Sequence, residues 1–195
     1  LTKHARYVNN GINVDELQAF IEQTKVKNKY PFTVFTLGRI CYQKNPELFN
    51  QIANALPEVH FLWIGGGELK SKLTSPNIEV TSWVDRETAL AYSLSGSIFV
   101  LTSLWEGLPL SLLESMYMKK VCVVSNVIGN RDVIHNGENG FVCSTLNDYV
   151  EAIDFCRKNN VKNLIDKAYE DILTVYNTTV MAHEYEKIYE EHMNG

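Results

Sequence analysis

The chain has 195 residues, of which 45% are apolar and 21% charged, and its formal net charge is −5 at pH 7. This composition is typical of a globular protein with one sizeable core, so a single domain is expected over residues 1–195. The acidic balance argues against a nucleic-acid partner, and no apolar run reaches the ~20 residues of a membrane helix. Four cysteines without a C-x-x-C pair predict a reducing, cytoplasmic location.

Apolar runs of strand length alternate with segments of helical periodicity. The predicted strands are Thr33–Leu37, His60–Ile64, Ile78–Ser82, Ile98–Thr102, Val121–Ser125 and Gly140–Cys143. The predicted helices between them are Pro46–Leu56, Gly67–Leu73, Arg86–Leu94, Pro109–Lys119 and Arg131–Asn136. The segments that follow are all helical: Leu146–Lys158, Val161–Tyr176 and Thr178–Met193. This alternation predicts an α/β, Rossmann-like doubly wound parallel sheet with C-terminal helices.

Irregular or glycine-rich residues follow five of the predicted strands. They are Gly38-Arg39, Gly65-Gly66-Gly67, Trp83-Val84, Ser103 to Glu106, and Ser125 to Gly129. Because the carboxyl ends of parallel strands meet at one edge of a sheet, these residues are predicted to lie together. In an open parallel sheet that edge holds the crevice in which ligands bind. The sequence therefore predicts a ligand site there.

Two glutamates flank the start of one predicted helix, with seven residues between Glu106 and Glu114. Pro109 suits the first turn, where its missing N–H would have no partner. The free N–H groups of a helix start attract an anion such as a phosphate. Because carboxylates would repel that phosphate, the two glutamates are predicted to accept hydrogen bonds from neutral hydroxyls. Sugar hydroxyls fit this requirement.

Three segments near this edge allow two interpretations each. The glycine run 65–67 is either a tight turn or a close approach of the backbone to a sugar phosphate, and the sequence does not decide between them. Trp83 either fills the core, which is favoured for a lone tryptophan, or borders a nucleobase. Asp85-Arg86-Glu87 is favoured as a helix cap over a metal-binding acidic pair.

Five motifs follow one another along the chain. They are VNNGIN (Val8–Asn13), GRICYQKN (Gly38–Asn45), GGGEL (Gly65–Leu69), EGLPLSLLES (Glu106–Ser115) and NGENGFV (Asn136–Val142). In this order and spacing they resemble the C-terminal, donor-binding half of the family 4, or group 1, glycosyltransferases, which have the GT-B fold. The resemblance covers nearly the whole chain.

The resemblance implies a role for each candidate site residue. Arg39 and Lys44 would bind the diphosphate of a nucleotide sugar, Glu114 the ribose hydroxyls, and Glu106 the donor sugar as the catalytic residue. The other implied donor contacts are Gly38, Gly65, Gly66, Gly107, Leu108, Pro109 and Leu110, with Trp83 and Val84 near the base. Fixed cations and a helix start would stabilise the charge that develops on the departing diphosphate, so no metal or other cofactor is expected.

The resemblance also implies a reaction and a setting. It implies a retaining hexosyltransferase that uses a UDP-sugar and a saccharide or lipid-linked acceptor, in bacterial capsule or other polysaccharide synthesis. An N-terminal acceptor-binding domain is expected outside this chain, so membrane contact is expected only there, and the chain alone is expected to be inactive. The alternative is a domain that binds a nucleotide sugar without turnover. A third hypothesis, a glycoside hydrolase with Glu106 and Glu114 as its two carboxyls, leaves the Arg-Lys pair without a role.

Overall fold

The computed structural model describes residues 6–26 and 28–193, except the side chain of His192. The strands are β1 Thr33–Leu37, β2 His60–Ile64, β3 Ile78–Val80, β4 Ile98–Leu101, β5 Val121–Ser125 and β6 Phe141–Cys143. They form one sheet in the order β3-β2-β1-β4-β5-β6, and every neighbouring pair is parallel. This order is that of a Rossmann-like sheet, which confirms the predicted fold.

Eight α-helices surround the sheet within the described residues. They are α1 Val14–Gln23, α2 Pro46–Ala55, α3 Arg86–Ser95, α4 Leu110–Tyr117, α5 Ile128–Arg131, α6 Leu146–Lys158, α7 Lys162–Thr174 and α8 Thr178–Met193. Of these helices, α1 was not predicted. None of the described helices has the length and apolar character needed to cross a membrane. The four cysteines are all free thiols.

Three predicted elements differ from the structure in ways that have a clear local cause. The segment Gly67–Leu73 forms only a short 3₁₀ turn at Lys70–Lys72. The helix predicted at Arg131–Asn136 is α5 instead, because the chain turns after it and Asn139 accepts a hydrogen bond from the His135 N–H at 2.7 Å. The third strand stops at Val80, since Ser82 adopts a left-handed φ of 63° and bridges Gly65 in antiparallel fashion.

The sheet separates two apolar clusters. In β4, Phe99 and Leu101 belong to one cluster, whereas Ile98 and Val100 belong to the other. The first cluster also takes buried residues from α1, α3, α4 and α7, and the second from α2 and α6. Side chains that alternate between two buried faces explain why the strands are almost continuously apolar in sequence.

The strand order reverses between β1 and β4, which are neighbours although 60 residues of chain separate their ends. In a doubly wound sheet this switch point opens a crevice at the carboxyl ends of the two strands. The loop after β1 carries Gly38, Arg39 and Lys44, and the loop after β4 carries Glu106. The fold therefore brings the predicted residues to the crevice.

Candidate functional site

The loops after β1 and β2 touch through backbone. The Ile40 N–H donates to the Gly66 carbonyl at 2.9 Å, and the Gly38 N–H donates to the Ile64 carbonyl at 3.0 Å. A Cβ at Gly65, where φ is +134°, would lie 2.3 Å from the Gly38 oxygen. One at Gly67 would lie 2.2 Å from the Ile40 oxygen. The glycine run is therefore required for contact between these two loops.

A cavity of about 510 Å³ lies over the carboxyl ends of β1 and β2. Its lining includes six of the predicted site residues: Gly38, Arg39, Gly65, Gly66, Trp83 and Val84. Trp83 is 82% exposed, so the favoured prediction of a core tryptophan is wrong. Trp83 follows β3, which ends at Val80, and its side chain borders the cavity.

Lys44 and Glu106 form an enclosed ion pair. Nζ of Lys44 lies 2.5 Å from Oε1 of Glu106, and the two side chains are only 17% and 7% exposed. Lys44 ends a 3₁₀ turn, after which Asn45 takes a left-handed conformation and caps α2. The Thr102 hydroxyl donates to the Lys44 carbonyl at 2.7 Å. The predicted diphosphate ligand and the predicted catalytic carboxylate therefore contact each other in this structure.

Further contacts join the same two loops. The Leu104 N–H donates to the Gln43 carbonyl at 2.8 Å, and the Gln43 amide donates to the Trp105 carbonyl at 3.0 Å. The rings of Tyr42 and Trp105 lie 5.9 Å apart between centroids. The β1 and β4 loops are thus bonded to each other across the switch point.

The segment from Glu106 to Pro109 has one open side and one closed side. Pro109 is the N-cap of α4, in an extended conformation, so the helix begins one residue later than predicted. A Cβ at Gly107 would meet no atom within 4 Å, whereas one at Gly129 would lie 1.7 Å from the Gly107 oxygen. The start of α5 therefore supports this segment from behind, and its other side is free to meet a ligand.

Glu114 lies inside α4 among apolar side chains and is 7% exposed. The structure pairs it with Arg86, whose Nη1 lies 2.6 Å from Oε1 of Glu114. This hydrogen bond raises the pKa of Arg86. Nε of Arg86 lies 3.8 Å from Glu16 of α1. The cap prediction for Asp85 is confirmed, because its side chain accepts from the Thr88 N–H at 2.8 Å.

Arg39 projects from the β1 loop and is 74% exposed. It pairs with Glu68, the residue after the glycine run, at 3.1 Å. The site residues therefore include three cations and three carboxylates, arranged as Arg39 with Glu68, Lys44 with Glu106, and Arg86 with Glu114. The sequence interpretation missed Glu68 and Arg86 as partners, because pairing across loops depends on side-chain direction.

A second cavity, of about 360 Å³, lies at the opposite edge of the sheet and contains none of the predicted site residues. Its lining includes Thr33, His60 and Glu79, each at or near the start of a strand. The His60 ring stacks on Tyr30 at 3.7 Å, and burial lowers the pKa of His60. No three His, Cys, Asp or Glu side chains of the described residues are grouped as a metal site would require.

Comparison with known families identifies the chain. The family model described as glycosyl transferases group 1 matches residues 31–159. The chain belongs to this family. It is 30% identical to the Escherichia coli UDP-Gal:α-D-GlcNAc-diphosphoundecaprenol α-1,3-galactosyltransferase, a match that covers 81% of this chain and 46% of that protein. This group 1 glycosyltransferase chain therefore spans about half the length of that relative.

Solved structures show the same fold. Sucrose-phosphate synthase from Thermosynechococcus elongatus superposes with a TM-score of 0.80 at 17% identity, covering 97% of this chain and 53% of that one. Anabaena HepE, solved with UDP and glucose, superposes with a TM-score of 0.77 at 15% identity, covering 95% and 56%. At these identities the likeness establishes that the group 1 chain has the architecture of one half of such proteins.

Proposed function

We propose that this chain is the donor-binding part of a glycosyltransferase that takes a sugar from a UDP-sugar. The observation that carries the proposal is the cavity over the carboxyl ends of β1 and β2, next to the switch point and bordered by Arg39, Trp83 and the glycine loops in a group 1 chain. The E. coli relative is named for UDP-Gal and for a diphosphoundecaprenol acceptor, which supports a UDP-sugar and a lipid-linked or free saccharide acceptor here.

Arg39 and Lys44 are the proposed ligands of the diphosphate. When the bond to the anomeric carbon breaks, negative charge develops on the departing diphosphate. Fixed cations and the start of α4 would stabilise that charge more in the transition state than in the ground state. The proposed chemistry draws this stabilisation from the chain itself and uses no metal or other cofactor.

Glu106 is the proposed catalytic residue. Its carboxylate is enclosed and held by Lys44, next to the open side of Gly107. A carboxylate fixed in this way suits hydrogen bonds from the hydroxyls of the donor sugar. We propose that the backbone from Gly107 to Leu110 contacts the same sugar, that Glu114 accepts from the ribose, and that Trp83 and Val84 border the base.

The wider setting of the reaction is part of the proposal. We propose transfer with retention of configuration, in the cytoplasmic assembly of a capsular or other surface polysaccharide. The acceptor and any membrane would be bound by residues outside this chain, which spans about half of its E. coli relative. That partial coverage also favours a second candidate, a unit that binds nucleotide sugars without turnover.

A titration of the chain with UDP, GDP, ADP and CMP, followed by thermal unfolding, tests donor binding. A ligand at a hundred times its Kd adds about 2.7 kcal/mol to the free energy of unfolding. We expect UDP to stabilise the chain selectively and both Arg39→Ala and Glu114→Ala to reduce this effect. Arg157→Ala, on α6, is the matched control. If none of the four nucleotides stabilises the folded wild-type chain, the proposal is contradicted.

Sugar transfer separates the two candidates. A longer protein that joins this chain to an acceptor-binding domain is expected to transfer sugar from a UDP-sugar, and Glu106→Ala is expected to abolish transfer. Binding of the donor without transfer by that protein would favour the non-catalytic candidate.

A further inference from the structure

The contact between Arg86 and Glu114 joins two helices at the carboxyl edge of the sheet. Arg86 is the first residue of α3, and Glu114 lies in the middle of α4, 28 residues later in sequence. Glu114 is 7% exposed, whereas Arg86 is 59% exposed. A carboxylate enclosed to this degree needs a partner, and Arg86 is the cation that the structure supplies.

The bond leaves Glu114 able to accept more hydrogens. Nη1 of Arg86 meets Oε1 at 2.6 Å. A carboxylate has about four lone-pair positions on its two oxygens. One bond from the guanidinium therefore restrains the carboxylate at one oxygen and leaves acceptor positions for two neighbouring hydroxyls. Two adjacent hydroxyls are what a ribose presents.

Arg86 stands beside the wall of the cavity that Trp83 and Val84 form. In sequence Arg86 comes two positions after Val84. Ala89, one turn further along α3, lines the same cavity. Arg39 also lines this cavity, but it lies in the β1 loop and pairs with Glu68. Arg86 is thus placed near the base and ribose end of the proposed nucleotide rather than among the proposed diphosphate ligands.

We propose that Arg86 is a positioning residue that orients Glu114 toward both ribose hydroxyls and thereby makes the chain selective for ribonucleotides over 2′-deoxyribonucleotides. This inference rests on the proposed function, since it assumes that a nucleotide occupies the cavity. It extends that function, because it assigns selectivity for the ribose to a pair of side chains from α3 and α4.

Calorimetric titration of the chain with UDP and 2′-deoxy-UDP tests the inference. We expect the wild type to bind UDP about tenfold more tightly than 2′-deoxy-UDP, since one hydrogen bond to a charged group is lost. In Arg86→Gln the two affinities are expected to agree within about twofold, because Glu114 is no longer held in one orientation. Arg86→Lys keeps a cation and is expected to retain part of the preference. Arg157→Gln, remote on α6, is expected to behave as the wild type.

The ratio of the two affinities distinguishes positioning from a general effect of charge. If Arg86→Gln weakens UDP and 2′-deoxy-UDP by the same factor, Arg86 acts through the charge of the phosphates and the inference is overturned. A preference that survives in Arg86→Gln overturns it equally. Thermal unfolding checks that this variant is folded, and Arg86→Lys provides the comparison if it is not.

Failure of the proposed function would look different. A wild-type chain that is folded and binds no nucleotide contradicts the proposed function itself. A wild-type chain that binds UDP and 2′-deoxy-UDP equally leaves nucleotide binding intact and overturns the ribose role of Glu114, and with it the role of Arg86.

Discussion

Two cations follow β1 within a few residues of each other, and their surroundings differ. Lys44 is enclosed, bonded to Glu106, and surrounded by the hydrogen bonds that join the β1 and β4 loops. Arg39 is three-quarters exposed and pairs with a glutamate that is itself 54% exposed. Exposed ion pairs contribute about 0–1 kcal/mol, whereas removal of one partner from an enclosed pair is strongly destabilising.

The difference shows that position along the chain does not decide how a charged residue acts. Arg39 can exchange Glu68 for a ligand at little cost, because both side chains already meet water. Lys44 cannot leave Glu106 without exposing or stranding a charge. Substitutions at Arg39 therefore report on binding, and substitutions at Lys44 report on binding and folding together.

Lys44→Met is expected to produce the largest loss of stability, about 3 kcal/mol in the free energy of unfolding, because Glu106 would remain charged and enclosed without a partner. Urea denaturation measures the loss. The double variant Lys44→Met with Glu106→Gln removes the stranded charge and is expected to recover most of it. A single variant within about 0.5 kcal/mol of the wild type would mean that the pair is not enclosed in solution.

Two glycines show the same contrast around the β4 loop, since Gly107 lies in that loop and Gly129 of α5 packs against it. Gly129→Ala is expected to destabilise the chain by about 2 kcal/mol, because the new methyl group would overlap the Gly107 carbonyl. Gly107→Ala is expected to change stability by less than about 0.5 kcal/mol while it weakens UDP-sugar binding. Unfolding curves and titrations of the pair measure both effects. Equal stability losses in the two variants would refute the assignment of an open and a closed side.

Lys120 can be compared with Lys44, because it is also an enclosed cation but is bonded to a backbone carbonyl where Lys44 is bonded to a carboxylate. Its Nζ donates to the Leu94 oxygen at 2.7 Å, and burial lowers the pKa of Lys120 from 10.5 to about 8. Between these two pKa values the unfolded chain binds a proton that the folded chain has released, so stability rises with pH there. We expect the wild type to gain roughly 1 kcal/mol relative to Lys120→Met on going from pH 7 to pH 9.

Denaturant unfolding of both proteins across this pH range tests the Lys120 prediction. The difference between the two curves isolates Lys120, since the other titrating groups are common to both. A difference that stays constant with pH would show that Lys120 keeps its ordinary pKa in the folded chain.

Arg39→Ala is expected to have the smallest effect on folding, less than about 0.5 kcal/mol, because its ion pair is exposed. Affinity for UDP is expected to fall roughly tenfold, as for the loss of one charge-assisted hydrogen bond. Calorimetry on Arg39→Ala and on the control Arg157→Ala measures this. A stability loss as large as that of Lys44→Met would remove the distinction between the two cations.

The sequence was sufficient for most of the sheet. The bounds of β1, β2 and β5 agree with the predicted ones, since strands buried on both faces are continuously apolar. The segment Gly67–Leu73 failed as a helix because its first glycine packs against the Ile40 carbonyl, a contact between distant loops. By contrast α1 had a local signal that was missed, since Asn13 caps it and accepts from the Glu16 N–H at 3.1 Å.

The sequence predicted where the candidate site lies but not which of its charged side chains form ion pairs. The carboxyl ends of the strands could be found from Gly38, Gly65 and Glu106, because parallel topology places them at one edge. Which carboxylate meets which cation depends on the strand order, which brings together side chains 62 residues apart in the case of Lys44 and Glu106. The exposure of Trp83 likewise depends on where β3 ends.

The three tryptophans of the chain occupy very different surroundings. Trp63 is 1% exposed and donates its indole N–H to the Gly38 carbonyl at 2.8 Å, whereas Trp83 is 82% exposed and Trp105 52% exposed in the loops at the carboxyl edge of the sheet. Their fluorescence should therefore separate into a blue-shifted component that iodide does not quench and a red-shifted component that it does. A nucleotide bound against Trp83 would shield only the red-shifted component from iodide, so tryptophan fluorescence can report whether the cavity is occupied. The blue-shifted component, from Trp63, reports whether the fold is intact.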